Sequence, residues 1–360
     1  MPRRAMPHHL PTAPTPYPNM WYLAAYSHHL RVGEVRPITV LGRELVLFRT
    51  EDGKAHVVAP HCPHFGAHLG HGGRVVGNSL RCPFHGWRFE GQSGKCVHIP
   101  TGDPIPSLAK LEPWHVDEVS GMVLLWYHAE GAPPSWRVAP LDDFEGDGWS
   151  SWLEDRWTIS ATIQDISEND ADVSHGPILH DIVVERADAR MEEHGAMCRW
   201  HLRMRAKLKI FGVPLDVSLP KNMTTSITST RWGLGIGWIC QTMPIGLGLA
   251  LRTQTLCTTV PVDETHSRMH MLHRVRKVPV PGLSTIMHRT YAKTFQDTVE
   301  DDIRVWEHKV YLERPAAAKS DAGILKFRRW AKQFYGGQRN RTGTGAPVVE
   351  ATGPGASWSA

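Results

Sequence analysis

Residues 61–89 constrain this chain more than any other stretch. They read HCPHFGAHLGHGGRVVGNSLRCPFHGWRF and hold two ligand pairs, Cys62 with His64 and Cys82 with His85. The pattern is Cys-x-His, 17 residues, then Cys-x-x-His. Two thiolates and two imidazoles can hold a [2Fe–2S] cluster in which His replaces Cys on one iron, which removes negative charge and raises the potential. Gly66, Gly70, Gly72 and Gly86 suit tight turns around a buried cluster. A zinc site uses the same donors. Zinc fingers, however, put both histidines after both cysteines, whereas here each half supplies one of each. His61, His68 and His71 read as exposed loop residues, because the ligand set is already full.

The flanking residues carry a resemblance. Cys62-Pro63-His64-Phe65-Gly66-Ala67-His68-Leu69 and Cys82-Pro83-Phe84-His85-Gly86-Trp87 resemble the Rieske motif of ring-hydroxylating oxygenases. A second segment, Glu168 to His180, holds Asn169, Asp172, His175 and His180. If residues 163–175 form a helix, Asp172 and His175 share a face. Gly176-Pro177 then ends or kinks that helix, letting His180 swing back. Two imidazoles and a carboxylate make the facial triad of non-haem Fe(II) oxygenases. The segment is similar to the catalytic helix of Rieske oxygenases, which implies His175 and His180 as iron ligands. It also implies Asp172 as a hydrogen-bonding bridge between His175 and a Rieske histidine, His85 by analogy, of the neighbouring subunit in a trimer. Asn169 matches a position near the iron.

The third ligand should be a carboxylate far downstream. Glu300-Asp301-Asp302-Ile303-Arg304-Val305-Trp306 resembles the C-terminal helix of 3-ketosteroid 9-alpha-hydroxylases and cholesterol desaturases. There the ligand Asp directly precedes a hydrophobic-x-hydrophobic-Trp run, which points to Asp302. Asp301 stands where that family usually has Gln and remains a rival. Residues 324–335 extend the resemblance, which covers about residues 18–337.

Bulk properties fit this reading. A chain of 360 residues accommodates two domains. A net charge of +4 is too mild to argue for nucleic acid and is compatible with an acidic protein partner. Cys96, Cys198, Cys240 and Cys257 show no disulfide framework and read as reduced thiols of a cytoplasmic protein. Proline-rich residues 1–17 and Gly/Thr/Ala/Pro-rich residues 338–360 read as disordered tails, with no signal peptide. Between them we expect a Rieske domain over 18–133 and a catalytic domain over 134–337, joined near Ala132-Pro133-Pro134. Trp232 to Leu251 carries no charge over 20 residues, but its glycines and Pro244 suit two buried strands around a Met243–Gly246 turn better than a membrane helix. Other expected elements are a hairpin turning at Gly42-Arg43, a strand at Leu215–Leu219, and helices over 283–311 and 323–335.

The expected fold class is α+β. An N-terminal all-β Rieske domain precedes a catalytic domain with a large antiparallel sheet and covering helices, helix-grip-like. The implied cofactors are a [2Fe–2S] cluster and Fe(II), with O2 as co-substrate. No flavin, nicotinamide or all-cysteine cluster motif appears. Electrons must then come from a separate reductase or ferredoxin, with NAD(P)H used indirectly. The expected activity is that of a terminal oxygenase which hydroxylates or desaturates a hydrophobic substrate, and the C-terminal resemblance leans toward a steroid-like or polycyclic one. O- or N-demethylation and amine oxidation remain alternatives, as does a pure Rieske electron carrier, which would give His175, His180 and Asp302 no role.

Overall fold

The computed structural model describes residues 17–184, 190–206, 209–210, 213–214, 224–246, 249–278 and 282–336. The expected strand at 215–219 and both chain ends beyond these bounds lie outside the described residues. Tyr17 belongs to the folded part: its ring meets that of Tyr127 edge-on at 6.1 Å.

Ten short strands build the first part, from β1 (Met20–Tyr26), β2 (Val35–Val40), β3 (Arg43–Arg49) and β4 (Ala55–Val58) to β5 (Arg74–Val76), β6 (Ser79–Arg81), β7 (Arg88–Glu90), β8 (Cys96–His98), β9 (Val116–Val119) and β10 (Met122–Tyr127). They form three antiparallel sheets, ordered β1-β10-β9, β2-β3-β4 and β5-β6-β7-β8. The β2–β3 turn falls at Leu41-Gly42, one residue before the expected position. Both residues are left-handed, with φ of 57° and 66°, as a two-residue hairpin turn with matching twist requires. Leu41 accepts this because its side chain is buried in the core.

The second part is one large antiparallel sheet. Its strands are β11 (Leu153–Ile159), β12 (Ile182–Val184), β13 (Arg190–His194), β14 (Met197–Ala206), β17 (Thr225–Trp232), β18 (Ile236–Gly246), β19 (Leu249–Pro261) and β20 (Ser267–Val275). A separate two-residue pair, β15 (Lys209–Ile210) with β16 (Val213–Pro214), precedes β17. The strand order is β11-β20-β19-β18-β17-β14-β12, with β13 on β14. The uncharged stretch does form sheet, but β18 runs on through Pro244 to Gly246. A register irregularity between Pro244 and Gly246 absorbs the missing N–H of proline, so the strand does not turn at Met243.

Alternation gives this sheet two buried faces. Trp238, Leu256 and Leu272 on one face belong to a core shared with Met20, Tyr22 and Leu124 of the first part. Gly233, at φ 57°, admits Met20 here: a Cβ would lie 2.7 Å from its sulfur. The other face is covered by helices. These are α1 (Ile163–Ser167) with a 3-10 turn Glu168–Ala171, α2 (Gly176–Leu179), α3 (Leu283–Trp306) and α4 (Ala322–Ala331). α3 ends five residues short of expectation, at Trp306. α4 continues as a 3-10 turn at Lys332–Phe334.

Candidate metal centres

Two loops with the same backbone design present the first set of donors. Cys62 N donates to Ala67 O at 2.9 Å and Gly66 N to Cys62 O at 2.9 Å. Cys82 N donates to Trp87 O at 2.8 Å and Gly86 N to Cys82 O at 3.2 Å. Gly66 and Gly86 carry φ of 74° and 72°, which a side chain would resist. Both cysteines are buried among Leu69, Leu80 and Phe89. Burial, with the neighbouring Cys82 thiol, pushes Cys62 up to about 11 against the pull of the His64 and Phe65 N–H groups. A cation at these sulfurs would supply what the pocket lacks.

The histidines stand side by side, with ring centroids 4.7 Å apart at 73°. His64 stacks on Trp87 at 4.2 Å, and its buried Nδ1 has no hydrogen-bond partner, as suits a metal-facing atom. His85 is exposed, flanked by Phe65 and Phe84, which are 73% and 64% exposed. Of the extra histidines, His61 and His71 are exposed, but His68 is half-buried. Its Nδ1 accepts the Gly70 N–H at 3.1 Å and its ring lies between His61 and His71, so it serves the loop's structure.

The second set of donors meets across the chain. Among the described residues, the one group of three donor side chains within 4.8 Å of one another is His175, His180 and Asp302. His180 Nε2 lies 2.9 Å from Asp302 Oδ1, and His175 Nε2 lies 3.7 Å from the same oxygen. Asp302 is 4% exposed on the sheet-facing side of α3. Asp301 points outward to Arg304, at 3.0 Å. Helical rotation of about 100° per residue separates the two carboxylates. Asn169 Nδ2 donates to Asp302 Oδ2 at 3.1 Å.

The segment carrying the histidines is not one helix. α1 passes into the 3-10 turn and the backbone breaks at Asp172, with φ −90° and ψ 90°. Asp172 Oδ1 accepts the N–H groups of Ser174 at 2.9 Å and His175 at 3.3 Å, competing with helix continuation. Gly176-Pro177 then starts a new helical turn and does not end the old one, because proline is tolerated in the first turn of a helix, where its missing N–H has no intrahelical partner to lose. Asp172 Oδ2 faces His175 Nδ1 at 3.5 Å. Burial works to raise Asp172, but the His175 ring and the Ser174 N–H outweigh it and hold the carboxyl below its usual range. Burial likewise works to lower His175, and Asp172 with Asp302 overcome it and raise that imidazole.

Two ion pairs that sequence reading missed anchor this segment. Arg231 on β17 gives Nε and Nη2 to Asp170 Oδ2 at 2.9 and 2.7 Å. Arg328 on α4 forks onto Glu168 with two 2.8 Å bonds. Nothing in the local pattern marks either arginine, since the pairing is set by strand and helix packing. Between them the turn holding Asn169 is fixed on both sides.

Comparison with known proteins agrees with this arrangement. Residues 20–109 match the Rieske [2Fe-2S] domain, and residues 125–335 match the 3-ketosteroid 9alpha-hydroxylase C-terminal domain. The chain is 31% identical over 355 residues to a cholesterol 7-desaturase of Xenopus laevis, covering 92% of this chain and 74% of the relative. It is 27% identical over 336 residues to the oxygenase component of 3-ketosteroid-9-alpha-monooxygenase of Rhodococcus rhodochrous, covering 90% and 85%. The crystal structure of dicamba monooxygenase bound to dicamba shares the fold, with a TM-score of 0.66 at 17% identity over 88% of this chain and 97% of that one. Among the described residues no helix is long and apolar enough to cross a membrane. The chain belongs to the Rieske non-haem iron oxygenases, oxidoreductases with a [2Fe–2S] domain followed by a catalytic domain, in the branch that includes cholesterol 7-desaturases and 3-ketosteroid 9-alpha-hydroxylases.

Proposed function

We propose that this chain is the terminal oxygenase of a multicomponent system and that it hydroxylates or desaturates a steroid-like substrate. Cys62, His64, Cys82 and His85 would hold the cluster, and His175, His180 and Asp302 the iron. The carrying observation is the convergence on a single locus of two imidazoles and one buried carboxylate, the nearer imidazole, His180, being 122 residues from Asp302 in sequence. All three are oxygen or nitrogen donors, the set that suits non-haem Fe(II) with open positions. A pure electron carrier would have no use for it. When bound, the cluster and iron supply one-electron transfer and O2 chemistry.

The protein's part is orientation and exclusion of water. Asn169 ties one oxygen of Asp302 and leaves the other for the metal side. Asp172 faces Nδ1 of His175, so that Nε2 is presented to the locus. The same Asp172 is the proposed bridge to His85 of a neighbouring copy in a homotrimer, which fits a cluster histidine that stands exposed on its own chain. Electrons would come from a cytoplasmic reductase or ferredoxin and ultimately from NAD(P)H. The steroid-like reading is supported by the relatives, whose names specify cholesterol and a 3-ketosteroid.

The test is turnover of a steroid panel with a surrogate reductase, read by mass. A gain of one oxygen indicates hydroxylation, a loss of two hydrogens desaturation and a loss of a methyl group demethylation. Iron analysis that finds two irons per chain instead of three, with no turnover of any substrate, would sink the oxygenase reading.

A further inference from the structure

The sheet face below the three-donor group mixes apolar side chains with polar ones that pair among themselves or with the covering helices, such as Arg231, Thr255 and His273. Leu202 on β14 pairs with Ile227 on β17, Ile227 with Gln241 on β18, and Gln241 with Thr253 on β19. Directly opposed residues share a face. Met204, Ile239 and Met243, each two residues along its strand from one of these, complete the wall, and all three are half-buried. The metal-donor segment sits on this same face. Arg231, which grips Asp170 beside Asn169, lies four residues from Ile227 along β17, roughly 13 Å at ~3.3 Å per residue.

Gln241 and Thr253 are 7% and 2% exposed. Among the described residues no hydrogen bond reaches the Gln241 amide, and Thr253 Oγ1 is buried without a well-formed hydrogen bond. The nearby Tyr291 hydroxyl meets Thr255 at 2.9 Å and also turns toward Thr253, while Thr255 meets His273 Nδ1 at 3.0 Å. A buried amide without a partner, beside a hydroxyl that shares the single Tyr291 O–H with Thr255, leaves hydrogen-bonding capacity that an arriving ligand can use.

We propose that Gln241 and Thr253 are the polar anchor for one oxygen of an otherwise apolar polycyclic substrate, either a hydroxyl or a ketone. A ketone can accept from the amide N–H and from the threonine hydroxyl. An alcohol can accept from one and donate to the amide oxygen. The surrounding Leu202, Ile227, Ile239 and Met243 fit the hydrocarbon skeleton. Held at this end, the skeleton extends toward the donor group, and the anchor sets which carbon reaches it. This rests on the steroid-like reading and names the atom by which such a substrate is registered. Cholesterol and 3-ketosteroids both carry an oxygen at ring position 3.

The test is equilibrium binding to the cluster- and iron-loaded enzyme, followed by tryptophan fluorescence. The probes are cholesterol, a 3-ketosteroid and the 3-deoxy counterpart of each. Wild type should bind at least one oxygenated probe about tenfold or more tightly than its counterpart. In the double variant Gln241→Leu, Thr253→Val the preference should fall to about threefold or less, with the deoxy probes bound as well as before. Gln241→Glu, which keeps the size but loses the N–H donors, should weaken the ketone more than the alcohol. An unchanged thermal unfolding midpoint and an unchanged content of three irons per chain show that each variant is folded. If wild type binds none of the four probes, the steroid-like reading fails and the anchor with it. If wild type binds them without preference, or the preference survives both sets of changes, the steroid-like reading stands and the anchor is overturned.

Discussion

Asn169 donates to Oδ2 of Asp302 at 3.1 Å while Oδ1 of that carboxylate faces His180 Nε2 at 2.9 Å, so one side chain divides the carboxylate into an oxygen held by the amide and an oxygen turned to the histidines. Removing the tether should loosen the iron without touching a ligand. Asn169→Ala is expected to weaken iron affinity by about 10-fold, in the usual range for a partner of a metal ligand. Titration of apo-enzyme with Fe(II), with cluster absorbance as the internal reference, checks this. Unchanged affinity would mean that the tether does not shape the site.

The choice between the two aspartates has a direct readout. Asp302→Ala should remove about one iron per chain and leave the cluster intact, because the two donor sets are separate. Asp301→Ala should leave both, since Asp301 pairs with Arg304 at the surface. Loss of iron in the Asp301 variant alone would move the third ligand by one position.

Asp172→Asn should leave both metal sites occupied yet lower turnover by about 10–100-fold. Asparagine can still accept from the Ser174 and His175 N–H groups through its oxygen, so the local turn survives. It then presents an NH2 to His175 Nδ1, where the carboxylate presented an acceptor. Mixing this variant with His85→Ala chains tests the proposed route between subunits. Mixed oligomers should regain activity that neither parent has. A dead mixture with confirmed subunit exchange argues against that route.

His85→Cys should retain a cluster of lower potential, because a thiolate adds negative charge. The exposed position of His85 leaves room for the change, whereas His64 is packed on Trp87. Redox titration that returns the wild-type potential would remove His85 from the ligand set.

Arg328→Met should lower stability by about 3–5 kcal/mol, because it strands the buried carboxylate of Glu168. The double variant Glu168→Leu, Arg328→Met should recover much of that loss. Thermal unfolding of the two, compared with wild type, decides it. A double variant as unstable as the single one would show that the fork itself, and not an unpaired charge, carries the stability.

The sequence by itself determined the chemistry and most of the elements. Ligand spacing in residues 61–89 and 169–180 is local, and so are strand alternation and the periodicity of α3, because each depends on a side-chain repeat that neighbours in sequence impose. Tertiary structure decided what distant residues do to one another. Asp301 and Asp302 differ only in which side of a helix they occupy, and packing on the sheet turned Asp302 inward. The helix expected over 163–175 broke at Asp172 because its carboxylate took the Ser174 and His175 N–H groups, a local competition that periodicity does not register. Arg231, Arg328, Gln241 and Thr253 gained their meaning only from strand register and helix docking. Those fix partners through the summed burial of many residues, and no short window of sequence contains that sum.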